Sequence, residues 1–384
     1  MFGTVSHDLH RLRRNALNPF FSKQAIGNME PLVRDLIEKL CIRFEGFRRT
    51  GEPVDTLKAY AALTTDVITT YSFNTSYGCI EDPDWKWEWP EAMVESTKGA
   101  HLNKQFKWVF PAMQATPEWI VQKVNPPVMN LINFQKDLAC QIGGLMNDKS
   151  SESKAAHRTI FHELIDCDLP AHERTLPRLV DEGQTMIAAG QETTSFFLKT
   201  TTYHILANKD IHDMLKAELK QAIPNSSVIP PLARLEALPY LHAVVQEGHR
   251  FSHGVLGRLE RISPDKPLQC HGWTIPPGTP VAMTSLLQHR DSTKFPNPRM
   301  FDPNRWLQPG SERLEKYLVP FSKGTRQCLG INLATAEIYL TLATVFRRFD
   351  LELYETSAYD AEIAHDFFIP HGHGDSKGVR VVFQ

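Results

Sequence analysis

Apolar residues recur at helical spacing through most of the first two thirds of the chain. In segment 23–49 they recur at helical spacing, at Leu32, Leu36, Ile37, Leu40 and Phe44. This period predicts an amphipathic helix with one face in the core. The same pattern predicts helices in further segments, which are 55–73, 176–207, 209–223, 240–252 and 330–349.

The pattern changes to short alternating runs between residues 259 and 285. The text PLQCHGWTIPPGTPVAMTS predicts a β-hairpin that turns at Pro276-Pro277-Gly278. Helices therefore dominate, with a small β region late in the chain, and neither an internal repeat nor a linker divides the sequence. We expect a single, mainly α domain over residues 1–384.

Two stretches interrupt the helical pattern. Residues 80–127 are rich in tryptophan and proline, which is compatible with either a mobile, apolar lid or a packed loop with short helices. Residues 148–158 are polar and indicate an exposed connection. The chain also begins within an amphipathic pattern, without the apolar core of a signal peptide, so we expect an N-terminally truncated form.

Composition narrows the class of protein. Of the 384 residues, 42% are hydrophobic and 22% are charged, as in soluble globular proteins. A net charge of −2 creates no strong field for nucleic acid, and no apolar run is long enough to span a bilayer. The six cysteines are scattered without a CxxC pair. This spacing argues against a zinc ribbon or a disulfide framework and favours a reducing compartment.

One cysteine, Cys328, lies in the small, polar and cationic stretch PFSKGTRQCLG, just before an apolar helix. A thiolate is a strong, soft ligand for iron, and the N-terminus of a helix stabilises its negative charge. Gly330 lets the backbone pass close to a flat ring. Phe321 can cover the sulfur, and Arg326 can reach a carboxylate at the ring edge. The alternative is a buried, inert structural cysteine.

The complete pattern Phe-x-x-Gly-x-Arg-x-Cys-x-Gly over residues 321–330 resembles the haem-binding loop of the cytochrome P-450 superfamily. The resemblance implies that Cys328 is the axial ligand of haem iron. It covers nearly all of the chain and is strongest to filamentous-fungal members of secondary metabolism. It implies a cytochrome P-450 fold that lacks the N-terminal anchor, the first helices and part of the β-sheet.

Other segments carry the same resemblance. Glu247 and Arg250 stand three residues apart on a predicted helix, and Arg305 follows in FDPNRW. By themselves the first two predict a surface ion pair. The family has a buried Glu-Arg-Arg triad beneath the haem at these positions, which implies a scaffold role for all three residues. Asn304 departs from the glutamate that the family usually has there.

Residues that disfavour a regular helix stand in the middle of the longest predicted helix, in AAGQETT at residues 188–194. We expect Gly190 to let the helix bulge or kink. Alone, this text is compatible with a threonine-rich helix that faces solvent. It resembles the oxygen-activating helix of the family, which implies that Thr193 holds a water near bound oxygen and that Glu192 relays protons.

Haem propionates carry negative charges and need cations. His10 and Arg14 share one face of a predicted helix, for which a basic surface is the alternative. The resemblance implies that these two residues bind a propionate, together with Arg326 and with Arg261 on the strand after the Glu-Arg helix.

The implied protein is a haem-thiolate monooxygenase that inserts one oxygen atom from O2 into an apolar small molecule, a fungal secondary metabolite. Its cofactor is haem b, and electrons come from NADPH through a separate flavoprotein, cytochrome P-450 reductase. The absence of a dinucleotide fingerprint agrees with a separate reductase. The family is anchored at the endoplasmic reticulum membrane, and a chain without the anchor would be cytoplasmic.

Two other functions stay open on the sequence alone. A truncated, non-catalytic remnant would bind haem weakly or not at all, and the haem content after purification would reveal it. A haem protein of other chemistry would catalyse a peroxide-dependent isomerisation or dehydration. The Glu192–Thr193 relay argues against that chemistry, and product analysis with labelled O2 separates it from oxygen insertion.

Overall fold

The fold is described by a computed structural model over residues 1–99, 104–106, 108–124, 126–147 and 159–384. Its α-helices are α1 (His7–Leu17), α2 (Lys23–Thr50), α3 (Thr56–Phe73), α4 (Glu88–Lys98), α5 (Val109–Gln114), α6 (Glu118–Val124), α7 (Pro126–Asn147), α8 (Ile160–Asp166), α9 (Leu176–Leu206), α10 (Lys209–Ala222), α11 (Leu232–Glu236), α12 (Pro239–Ser252), α13 (Ser285–His289), α14 (Ile331–Arg348) and α15 (Ala358–Ala361). Its strands are β1 (Val54–Asp55), β2 (Arg261–Ile262), β3 (Leu268–Cys270), β4 (Trp273–Ile275), β5 (Pro280–Val281), β6 (Leu351–Leu353), β7 (His365–Phe367), β8 (Ile369–His371) and β9 (Arg380–Phe383). The predicted fold class, mainly α with a small β region, is confirmed.

The long helix α9 occupies the centre of the molecule and packs against α3, α7, α12 and α14. From Gln191 to Tyr203 almost every side chain of α9 is buried. The helix continues through Gly190 without a bulge, so the bulge half of that expectation is wrong. This glycine instead lets α3 approach, because a Cβ atom there would lie 3.2 Å from Cγ1 of Ile68.

Helix α3 lies in the core on nearly all sides, which explains its run of small and apolar residues. Asp55 begins the helix because its side chain accepts the backbone N–H of Leu57 at 2.9 Å. Asn74 ends it in the left-handed conformation, with φ of 57°. The carboxylate of Asp66 accepts the backbone N–H groups of Cys79 and Ile80, and so ties the loop after α3 back to the helix.

The strands form four small antiparallel sheets within the described residues. The largest has the order β1-β9-β6, and the others are the pairs β2-β5, β3-β4 and β7-β8. The predicted hairpin exists, but its turn was placed wrongly. Cys270 pairs with Trp273, so the turn is His271-Gly272, with φ of 47° and 83°. Pro276-Pro277-Gly278 leads instead to β5, whose partner is β2.

The tryptophan- and proline-rich stretch contains the short helices α4, α5 and α6 where the structure describes it. The ring of Trp89 lies 4.9 Å from the ring of Tyr77 and 5.0 Å from that of Phe134, measured between centroids. These contacts favour the packed loop at α4, whereas Trp108 and Trp119 farther along the stretch are exposed. The predicted connection over residues 148–158 lies outside the described residues.

Candidate active site

Cys328 lies between a 3₁₀ turn (Gly324–Arg326) and the start of α14. Its backbone N–H donates to the carbonyl of Phe321 at 2.8 Å. The backbone N–H of Gly330 donates to its sulfur. The sulfur therefore faces the kind of donor that stabilises an anion near the N-terminus of a helix.

The Cys328 side chain is solvent-accessible, although protein surrounds it on most sides. Desolvation raises the pKa of its thiol, while the Gly330 N–H and the charge of Arg14 oppose that rise. A Cβ atom at Gly324 or Gly330 would have nothing within 4 Å, so the backbone here borders open space. The thiol is accessible, and the glycine backbone beside it borders open space, which fits a flat ring ligated through sulfur. The alternative of a fully buried structural cysteine does not fit this exposure.

The four basic side chains that the family resemblance assigns to propionates influence one another electrostatically. Desolvation, followed by the charges of Arg326 and Arg14, lowers the pKa of the buried His10. Desolvation, followed by the charge of Arg261, lowers the pKa of Arg326. The N-terminal helix, the cysteine loop and β2 thus bring these basic side chains within electrostatic range of one another, and Arg14 within range of Cys328.

Within the described ranges, the three arginines of this cluster pair with backbone carbonyls and not with carboxylates. Arg14 Nη1 donates to the carbonyl of Gln327 at 2.7 Å, and Arg261 and Arg326 also donate to backbone carbonyls. Over the residues that the structure describes, no carboxylate forms an ion pair with any of the three arginines. A cluster of cations without carboxylates fits a ligand with two carboxylate groups of its own, such as haem.

Glu247, Arg250 and Arg305 meet in the interior. Arg250 Nε and Nη2 donate to the two carboxylate oxygens of Glu247 at 2.9 and 2.7 Å, and Arg305 Nε donates to Glu247 Oε1 at 3.1 Å. Trp306 Nε1 also donates to Glu247 Oε2, at 2.9 Å. Glu247 and Arg250 are 0% and 1% exposed, so a surface ion pair is excluded. Asn304 is exposed, and its departure from the family pattern leaves the triad intact.

The remaining donors of Arg250 go to backbone carbonyls. Nη1 donates to His289 at 3.0 Å and to Pro298 at 2.7 Å, and Nη2 donates to Met300 at 3.0 Å. A buried charge is tolerated when its donors are all satisfied in this way. Arg250 thereby holds the backbone at three points of the segment from His289 to Met300.

Glu192 and Thr193 lie on α9, which is buried rather than facing solvent. Oε1 of Glu192 has no hydrogen-bond partner among the described residues, and burial raises the pKa of this carboxyl to about 8. Thr193 is half-buried, and its hydroxyl donates to the carbonyl of Ala189 at 2.8 Å. At neutral pH the glutamic acid is therefore mostly protonated, with one oxygen available to another group.

The sequence profile of the cytochrome P450 family matches residues 2–372. The chain belongs to the cytochrome P450 family. This P450 is 42% identical to cytochrome P450 monooxygenase MO6277 of Ascocoryne sarcoides, with 100% of the chain and 77% of the relative aligned. It is also 42% identical to tryptophan 6-hydroxylase fscE of Fusarium equiseti, with 100% of the chain and 76% of the relative aligned.

A solved structure shares the fold. The cytochrome P450DA heme domain superposes with a TM-score of 0.75 at 19% sequence identity, and the match covers 98% of this chain and 76% of that one. This P450 is therefore a haem-thiolate monooxygenase similar to fungal enzymes of secondary metabolism, with haem as the family's cofactor. The non-catalytic alternative finds no support in these relatives.

Two buried side chains near the site escaped sequence analysis. Glu337 lies on α14, 1% exposed, and desolvation raises the pKa of its carboxyl well above the ordinary value. It hydrogen-bonds the side chain of Thr194, next to Thr193. An acidic residue within the apolar run INLATAEIYL was the available signal. His289 gave no such signal, because its contacts are distant in sequence.

Proposed function

We propose that this P450 uses O2 to hydroxylate an apolar small molecule of fungal secondary metabolism, and that Cys328 would hold the haem iron through its sulfur. The observation that carries the assignment is the accessible Cys328 thiol, which accepts the Gly330 N–H and lies near Arg14, a cation with no carboxylate partner among the described residues. When bound, the haem supplies oxygen binding and activation, and a thiolate ligand favours cleavage of the O–O bond.

We assign the holding of haem to five further residues. Arg14, Arg261 and Arg326 would neutralise the propionates, and the buried His10 would donate a hydrogen bond from its ring. Phe321 would cover the proximal side of the sulfur. The triad of Glu247, Arg250 and Arg305 would support the backbone around this site from below, as a scaffold without contact to substrate.

Proton delivery is assigned to Glu192 and Thr193. The Glu192 carboxyl, with its raised pKa, holds a proton near neutral pH, and one of its oxygens has no partner among the described residues. Such a group can both donate and accept a proton under working conditions. The Thr193 hydroxyl would release its bond to Ala189 and orient a water for this transfer.

The names of the relatives guide the proposal for the substrate, and the family resemblance guides the proposal for the partners. A relative named tryptophan 6-hydroxylase makes aromatic, indole-bearing compounds a natural first panel of substrates for this P450. We further propose that electrons come from NADPH through cytochrome P-450 reductase, that residues 1–384 form one domain, and that the enzyme works at the endoplasmic reticulum membrane. None of the helices within the described ranges is long and apolar enough to cross a membrane.

The test is a carbon monoxide difference spectrum of the reduced, haem-loaded protein. We expect the red-shifted Soret band that gives the family its name, and its complete loss in Cys328→Ala. Cys270→Ala is the matched control, because Cys270 is also exposed but lies in a distant strand. A band that survives Cys328→Ala, or histidine ligation in the wild type, would overturn the ligand assignment. Labelled O2 in the product then tests oxygen insertion.

A further inference from the structure

The four residues Leu318 to Phe321 lead into the cysteine loop and form only a turn. Hydrogen bonds and a ring contact nevertheless hold this stretch at several points. His289 Nε2 accepts the backbone N–H of Val319 at 2.9 Å. The ring of Phe321 lies edge-on to the ring of His249, with centroids 4.9 Å apart. Phe321 in turn accepts the backbone N–H of Cys328 through its carbonyl, so displacement of this stretch would displace the thiol.

His289 belongs to two networks at once. Its carbonyl accepts Arg250 Nη1 at 3.0 Å, and Arg250 is bound through two bonds to Glu247. Its imidazole holds Val319. The side chain is 0% exposed, at the last residue of α13. One residue therefore links the buried triad, through its backbone, to the stretch that leads to the thiol, through its ring.

The contacts of the ring determine its tautomer. Because Nε2 accepts from an amide N–H, it must carry the lone pair, and the ring proton lies on Nδ1. Nδ1 faces Nδ1 of His253 at 3.2 Å, which is then the acceptor, and the two rings are stacked 5.4 Å apart. Arg250 and Arg290 are the nearby charges, and burial lowers the pKa of His289 to about 3. The ring stays neutral throughout the physiological range.

We propose that His289 is a positioning residue that couples the Glu247–Arg250–Arg305 triad to the thiolate loop. The inference rests on the proposed ligation by Cys328. It assigns a specific task to the ring, which is to accept the Val319 N–H and thereby fix Phe321 and the backbone of Cys328. The competing explanation is that the ring fills space in the core, in which case shape alone would matter.

Two variants separate these explanations in the haem-loaded, full-length protein. His289→Gln keeps an acceptor oxygen near the position of Nε2, whereas His289→Leu has a similar volume but no acceptor. We expect His289→Leu to speed hydrogen exchange of the Val319 amide by about tenfold, since a buried donor loses its partner. We also expect it to shift the reduced carbon monoxide spectrum toward the blue-shifted form with protonated or lost thiolate. His289→Gln should restore both measurements, and the exposed His172→Leu should change neither.

A measurement on the wild type covers the case in which His289→Leu does not fold. With histidine labelled by ¹⁵N, His289 should show a hydrogen-bonded, unprotonated Nε2 and a protonated Nδ1. The opposite tautomer, or equal effects of Gln and Leu at this position, overturns the proposal. If Cys328 is not the ligand, the wild type itself lacks the red-shifted band while the Val319 exchange and the tautomer stay as expected. Failure of the proposed function is thus distinguishable from failure of this inference.

Discussion

Arg250 and Glu247 join through two hydrogen bonds, of 2.9 and 2.7 Å, at a depth where neither side chain has appreciable contact with solvent. Removal of either partner leaves an uncompensated charge in the interior. We expect Glu247→Ala to lower the free energy of unfolding by about 3–5 kcal/mol. Urea denaturation measures it. Asp8→Ala breaks the exposed pair Asp8–Arg11 and should cost under about 1 kcal/mol; similar losses for both would contradict the buried triad.

Glu192 should make stability depend on pH. Burial raises the pKa of its carboxyl from 4.5 to about 8, so the folded protein retains a proton that the unfolded chain releases. The free energy of unfolding should therefore fall as pH rises from about 5 to 8, by an amount on the order of a few kcal/mol. Glu192→Gln should remove this slope. Thermal unfolding across the range measures it, and the exposed Glu312→Gln is the control.

The same substitution should slow oxygenation. Without an ionisable carboxyl, proton delivery in Glu192→Gln should fall by about 100-fold, in line with general acid–base catalysis. NADPH consumption and product formation, measured together, show whether electrons are diverted to peroxide or water. A variant with unchanged turnover and unchanged coupling would argue that protons take another route, of which the buried Glu337 beside Thr194 is the visible candidate.

The cation cluster should set haem affinity. Arg14→Ala and Arg326→Ala each remove a charge that has no carboxylate partner among the described residues. Each should weaken haem binding by about 10- to 100-fold, the value of a hydrogen bond to a charged group. Transfer of haem to apomyoglobin measures the loss. Arg11→Ala, on an exposed face of the same helix, is the control and should leave haem affinity unchanged.

Gly190 should be needed for close packing of α9 on α3. Gly190→Ala places a methyl group 3.2 Å from Ile68 Cγ1, which should cost about 1–3 kcal/mol. Gly27→Ala is the matched control, because that helical glycine has nothing within 4 Å. There the substitution should stabilise the protein by about 0.5–1 kcal/mol, the helix preference for alanine. Equal effects at both sites would refute the packing argument.

The sequence predicts best those features that depend on residues close together in the chain. The helices follow from apolar spacing, and the cysteine loop and the Glu-Arg helix are short patterns that carry their own geometry. The prediction failed at the hairpin, where Pro276-Pro277-Gly278 is the stronger turn signal by composition. The actual turn requires His271 in a positive-φ conformation that a non-glycine residue seldom adopts.

Other parts of the site depend on long-range contacts. His289 contacts Arg250 and Val319, which stand 39 and 30 residues away, and no period or motif announces those contacts. Helix propensity predicts a bulge or a kink at Gly190, whereas the structure has a continuous helix there that packs closely against Ile68. Residue type alone cannot distinguish a glycine that bends a helix from one that lets a neighbouring helix approach closely.

The absence of a Cβ atom at Gly254 determines which residues that position can accept. Its φ is 66°, and a Cβ would stand 2.3 Å from the carbonyl oxygen of Pro320, so every other amino acid is excluded by backbone. The carbonyls of its neighbours Val255 and Leu256 accept the hydroxyls of Ser285 and Thr284. The missing side chain at Gly254 therefore sets how closely this segment approaches Pro320, the residue just before Phe321, whose carbonyl accepts the backbone N–H of Cys328.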